Sequence, residues 1–280
     1  MDAAQRHAME VVRSADRDRY LAVLYAPEEK RGHLFALYAF NAEIAAIRDR
    51  IRDPLAGEMR LQWWRDVLSS NGEAAAGNPL AEALLQTIEK NRLPVRSLLD
   101  YLDARVFDLY DDPMPGRTDL EGYCGETASA IIQLAAIILD AAKAPSMASL
   151  AGHAGCAQAI TGLLRLLPLH RSRGQCYVPA DLLAAAGTSR DAFLSDEGEG
   201  AGAAVAAMLA LAYEHLAAFE AEAGAITESL RSAFLPVALV PAYLLKVARI
   251  DPLREIADIS APRRHWLLLR HAMRGWSSAG

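Results

Sequence analysis

The chain of 280 residues has little cysteine, no long apolar run and no surplus of basic residues. Its three cysteines, Cys124, Cys156 and Cys176, are odd in number and lack CxxC spacing. That pattern argues against a disulfide framework and a cysteine-rich zinc site, and it fits a reducing compartment. Lys and Arg number 29 against 35 Asp and Glu, a net charge of −6, which argues against a nucleic-acid partner. Acidic residues Asp2, Glu10, Asp16 and Asp18 lie among the early arginines, and no apolar core follows. Such an opening fits neither a signal peptide nor a mitochondrial presequence. The most apolar stretch, 128–139, is shorter than the ~20 residues of a spanning helix and reads as a core helix. The expected location is cytoplasmic, peripheral on the inner membrane at most, with no transmembrane helix.

What the sequence does have is helical patterning. Helix formers dominate, and no stretch alternates apolar and polar residues with period two. Apolar residues at helical spacings mark 28–51, which Asp53-Pro54 closes, and 57–70. Prolines open helices over 79–91 and 94–108. A turn cluster covers 111–116, and Thr118 with Glu121 resembles a capping box for the next helix. A long helix is expected after Pro145, running to about Leu167, then an irregular basic segment over 171–179 and a small helix over 179–186. A mobile loop at 194–200 precedes helices over 202–223, 230–250 and 262–274. The pattern predicts one all-α domain over 1–280, with a core of 18–274 and about ten helices.

Three blocks are specific: LFALYAFNAEIAAIRD at 34–49, GEMRLQWWR at 57–65 and GCAQAITGLLRLLPLHRSRGQCYVP at 155–179. In this order they resemble the squalene/phytoene synthase family. The resemblance implies an all-helical isoprenoid-synthase bundle around a central cavity. It also implies, for active members, head-to-head joining of two prenyl diphosphates. Expelling diphosphate calls for Mg²⁺ on carboxylates, because a hard cation prefers oxygen ligands and stabilises developing negative charge. The family supplies these from two DxxxD motifs, whose spacing of four sets both carboxylates on one helical face.

This chain departs from that pattern. The first motif reads Ala45 and Asp49, the second Leu166 and His170. Ala42 replaces the expected arginine and Gly162 the expected asparagine, while Tyr38 and Arg165 remain. One motif carboxylate cannot hold a multi-metal cluster, and Glu43, six residues before Asp49, is turned away from it on a helix. The departures resemble a divergent branch of the family that includes an assembly factor for respiratory complex I. The implied role is a pseudo-enzyme in assembly of NADH:quinone oxidoreductase. Its implied partners are complex I subunits or assembly intermediates, and it needs no cofactor. A working prenyl transferase using Mg²⁺ and an isoprenoid- or lipid-binding module are the alternatives.

The candidate pocket residues are Tyr38, Asn41, Asp49, Arg65, Gln158, Arg165, His170, Arg171, Arg173 and Tyr177. His170, Arg171 and Arg173 read as an anion site or as a solvated basic turn complementing a helix dipole. Asp49 with Arg48 and Arg50 reads as a relic of the diphosphate site or as a surface cluster. Trp63-Trp64-Arg65 reads as core packing with one positioned arginine or as a stacking platform. Gln158, Thr161 and Arg165 share the expected cavity face, as a polar network or as ligand contacts. Ala45, Gly162 and Leu166 predict an apolar former metal end, either open to an isoprenoid or acyl chain or filled by side chains.

The segment 263–276 is basic and amphipathic, with Trp266, Leu269 and Met273 on one face and Arg263, Arg264, Arg270 and Arg274 largely elsewhere. Such a helix lies on an anionic membrane surface or packs against its own domain.

Overall fold

The computed structural model describes residues 1–51, 53–70, 75, 77–195 and 200–276. Residues 196–199 of the expected loop lie outside the described residues. Helices α1 (Ala3–Ala15), α2 (Arg17–Val23), α3 (Glu28–Ala45), α4 (Ile47–Arg50) and α5 (Pro54–Ser69) come first. Then come α6 (Pro79–Asn91), α7 (Val95–Ala104), α8 (Arg117–Cys124), α9 (Ala130–Leu139), α10 (Ala148–Arg165) and α11 (Leu167–Ser172). The chain continues through α12 (Ala180–Ala185), α13 (Arg190–Leu194), α14 (Ala201–Glu222), α15 (Arg231–Phe234), α16 (Val240–Val247) and α17 (Ala261–Arg274). Among the described residues there is no strand.

Several expected helices are divided, and backbone chemistry explains where. Pro168 lacks the N–H that would bond the carbonyl of residue 164, so α10 ends at Arg165 and His170 moves onto the separate α11. Pro236 and Pro241 likewise split 230–250 into α15, a 3-10 turn at Leu235–Leu239, and α16. The expected helix 28–51 breaks at Ala46, whose N–H reaches both Ala42 and Ile44 carbonyls in a tightened turn. The cap before α8 is also two positions off. Gly116 is the N-cap, and the Asp119 carboxylate accepts from its N–H at 3.0 Å, so Thr118 lies inside the helix.

Helix α10 is the central strut, packed against α9, α14 and α16, while α1 and α6 cover α3. Burial of Phe35, Tyr38, Phe40, Trp64 and Tyr101 fixes α3 against its neighbours. Phe40 meets Trp64 edge-on at 5.0 Å and Tyr101 at 5.4 Å, geometries that favour aromatic pairs. A π-helical turn at Gly125–Ser129 joins α8 to α9. It abuts α10 so closely that a Cβ on Gly155 would lie 2.4 Å from the Ser129 nitrogen.

This joining lengthens the apolar stretch that begins in the sequence at 128. By length and composition Arg117–Leu139, Ala201–Ala225 and Glu228–Val247 are long and apolar enough to cross a membrane. Most residues of the first and third such windows are buried inside the fold.

Candidate functional site

A cavity of about 760 Å³ lies between the start of α2, the α3–α4 junction, the π turn, α10–α11 and the Asp258–Arg264 stretch. One wall is small or apolar, formed by Ala42, Ala45, Gly162, Leu163, Leu166 and Leu169. Around it stand seven arginines and five aspartates, a surplus of positive charge inside an acidic chain. The cavity is open and not filled by side chains, and the end expected to be apolar is charged as well, because Asp49 and Arg173 line it with Ala45 and Leu166.

Two ion networks organise the polar wall, the first largely buried and the second running out to the exposed Asp258. In the first, a 3-10 turn at Arg105–Leu109 follows α7. Three residues per turn eclipse positions i and i+3, so Arg105 Nη1 meets Asp108 Oδ2 at 2.9 Å. Asp108 Oδ1 also accepts from Tyr123 at 2.8 Å and from Tyr177 at 3.2 Å. Burial, and the Asp108 charge beside them, push both phenols above the usual tyrosine range. In the second network Asp18 accepts from Arg264 Nε at 2.6 Å and from the Tyr243 hydroxyl at 2.7 Å. Arg264 reaches Asp258 at 2.7 Å as well, and Arg165 lies flat over the Tyr243 ring at 3.4 Å while donating to the Ala257 carbonyl at 3.0 Å.

Of the sequence candidates, Asn41, Asp49, Gln158, Arg165, His170, Arg173 and Tyr177 line the cavity. Asn41 Oδ1 accepts from the Tyr101 hydroxyl at 3.0 Å. Asp49 is paired with Arg173. Burial, with Arg173 nearby, holds the His170 imidazole below the ordinary histidine range, and its ring meets Tyr177 edge-on at 5.0 Å. His170 Nδ1 and Gln158 Oε1 are buried with no hydrogen-bond partner among the described residues.

Four expectations are corrected. Arg65 is outside the cavity, bound to Asp103 Oδ1 at 2.7 Å, since its place on α5 faces α7. Arg171 points away from the cavity and donates to the Phe193 and Leu253 carbonyls at 2.8 and 3.1 Å, so it braces loops instead of holding an anion. Thr161 turns back to the Ala157 carbonyl at 2.6 Å and leaves the cavity face to Gly162 and Leu163. Tyr38 lies beneath the cavity, its ring 5.5 Å from the Arg19 guanidinium; burial pushes its phenol up to about 12.

Sequence reading missed Asp16, Asp18, Arg19, Arg105, Asp108, Tyr243, Asp258 and Arg264. The alternating run Asp16-Arg17-Asp18-Arg19 and the spacing of Arg105 to Asp108 were the available signals. Elsewhere, Trp64 is core, and Glu43 accepts from Trp64 Nε1 at 3.3 Å and from Arg60, away from Asp49.

The donor set does not fit a magnesium cluster. Mg²⁺ takes near-octahedral oxygen ligands at about 2.0–2.1 Å. Every cavity aspartate already faces an arginine: Asp16 faces Arg19, Asp18 and Asp258 face Arg264, Asp49 faces Arg173, and Asp108 faces Arg105. No three His, Cys, Asp or Glu side chains converge as a metal site among the described residues. The arrangement instead suits an anionic head group with an apolar tail, held by charge-assisted hydrogen bonds against the Ala42–Leu169 wall.

Residues 12–267 match the squalene/phytoene synthase family. The chain is 31% identical over 251 residues to the bovine (Bos taurus) NADH dehydrogenase (ubiquinone) complex I, assembly factor 6, covering 88% of this chain and 74% of that protein. It is 27% identical over 181 residues to the presqualene diphosphate synthase of Zymomonas mobilis, covering 61% of this chain and 59% of that one. Among solved structures, a dehydrosqualene synthase in complex with ligand superposes with a TM-score of 0.79 at 20% identity, covering 95% of this chain and 94% of the other. The all-helical isoprenoid-synthase fold is thereby established.

Proposed function

The chain belongs to the squalene/phytoene synthase family, and from that premise we propose that it acts without prenyl-transfer chemistry, in assembly of respiratory complex I. The observation that carries this reading is the neutralised donor set. Asp49 is held by Arg173, and Ala45, Leu166 and His170 occupy the positions where the resemblance places the other motif carboxylates. Without clustered divalent ions, the charge of a departing diphosphate has no adequate counterweight. Likeness to the bovine assembly factor over most of both chains supports the assembly role. Complex I subunits or assembly intermediates are then the partners.

The cavity itself supports a compatible second reading, in which an isoprenoid or other lipid with an anionic head occupies it. Native mass spectrometry of the purified protein tests this: a co-purifying amphiphile supports it, and an empty spectrum removes it.

For the main reading, deleting the gene lowers assembled complex I on native gels and leaves carotenoids and hopanoids unchanged. An Asp49→Asn variant restores complex I as well as wild type does. Unchanged complex I overturns the assembly role. Mg²⁺-dependent pyrophosphate release from farnesyl or geranylgeranyl diphosphate, above a denatured control, overturns the non-catalytic one.

A further inference from the structure

Helix α17 is built with two unlike sides. Leu268 is fully buried, and Arg264 is buried in its bonds to Asp18, Asp258 and Tyr243. Arg264 thus lies away from the Trp266 face but is separated from the other three arginines by its burial. At about 100° per residue, Trp266, Leu269 and Met273 fall within about 60° of one another on the opposite side. They are 63%, 43% and 72% exposed, and Met273 is the most exposed large apolar side chain among the described residues. Arg263, Arg270 and Arg274 are exposed too and follow Trp266 on one flank within about 80°. The helix contains no acidic residue, although the whole chain carries a net charge of −6.

We propose that this exposed side of α17 docks the protein on an anionic lipid bilayer, with Trp266, Leu269 and Met273 at the level of the head groups and Arg263, Arg270 and Arg274 against lipid phosphates. Charge selects the occupant. A row of arginines without a compensating carboxylate disfavours a second copy of the same face, which would bring like charges together. An indole beside aliphatic side chains and arginines matches the layered polarity of a membrane interface. Attachment to the fold is secured from the other side by Arg264 and Leu268, and Trp266, Leu269 and Met273 remain exposed. The proposal stands independently of the assembly role and of any cavity ligand.

Flotation of the full-length protein with phosphatidylcholine vesicles, with and without phosphatidylglycerol, tests it. Wild type floats with the anionic vesicles only, and raised salt weakens binding as the arginine contacts are screened. W266S/L269S/M273S keeps the wild-type melting temperature and lowers partitioning by about tenfold or more. R263Q/R270Q/R274Q removes the preference for anionic lipid. A control, L55S/M59S, removes two equally exposed apolar side chains on α5 and leaves binding unchanged. Wild type remaining with the soluble fraction overturns the proposal. So does a triple serine variant that floats normally, a control that abolishes binding, or a concentration-dependent dimer that the triple serine variant alone disperses.

Discussion

Asp49 and Arg173 form an ion pair at the cavity wall across 124 positions of sequence, one from α4 and the other from the turn after α11. The pair joins the two segments where the resemblance places the metal motifs, and it satisfies the Asp49 carboxylate. The Arg173 guanidinium thus supplies the countercharge for the Asp49 carboxylate.

Because both members are about one-third to one-half exposed, the pair adds little to stability. Arg173→Ala changes the unfolding free energy by less than about 1 kcal/mol, read by urea denaturation. Asp108→Ala behaves differently. It strands Arg105 and leaves Tyr123 and Tyr177 without their acceptor, in surroundings where both charges are largely buried. Removing one member of such a pair costs about 3 kcal/mol, and the same titration measures it.

Two glycines of α10 respond oppositely to alanine. Gly155→Ala drives a Cβ into the Ser129 backbone, and the resulting shift of the π turn costs about 1–3 kcal/mol or more. Gly152→Ala meets nothing within 4 Å and stabilises by about 0.5–1 kcal/mol through helix propensity. Thermal melts of the two single variants distinguish local crowding from a general intolerance of change in this helix.

Acid weakens the fold through its histidines. Burial lowers His33, His170 and His271 from the ordinary value of 6.5, so below that pH the unfolded chain binds more protons than the folded one. Stability is full above the unfolded value and declines as pH falls through it. His170→Leu makes the decline shallower between about pH 7.5 and 5.5 in denaturant titrations. An unchanged slope removes His170 from the account.

The sequence shows the family in its three blocks, and helix α6 (Pro79–Asn91) to the residue, because Asn78 caps it and Pro79 opens it. Signals of that kind are local, and local signals survive in a linear text. Arg65 and Arg171 show what does not survive. Arg65 follows a tryptophan pair and Arg171 sits in a basic run, and both read as pocket candidates, yet each is turned onto protein partners by the element that carries it. The Asp18 network is invisible for the opposite reason. Its members, Arg165, Tyr243, Asp258 and Arg264, are scattered along the chain, and only the tertiary fold makes them neighbours. Arg105 and Asp108 lie in between: their spacing is visible, but only 3-10 geometry aligns them.

The bond from Arg264 to Asp18 spans 246 positions. At a synthesis rate of about 5–20 residues per second, Asp18 waits on the order of tens of seconds before its partner leaves the ribosome. Until then the Asp18 carboxylate and the Tyr243 hydroxyl lack the guanidinium that ties them together in the finished fold. The Asp18 network is therefore among the last features of the polar wall to be completed.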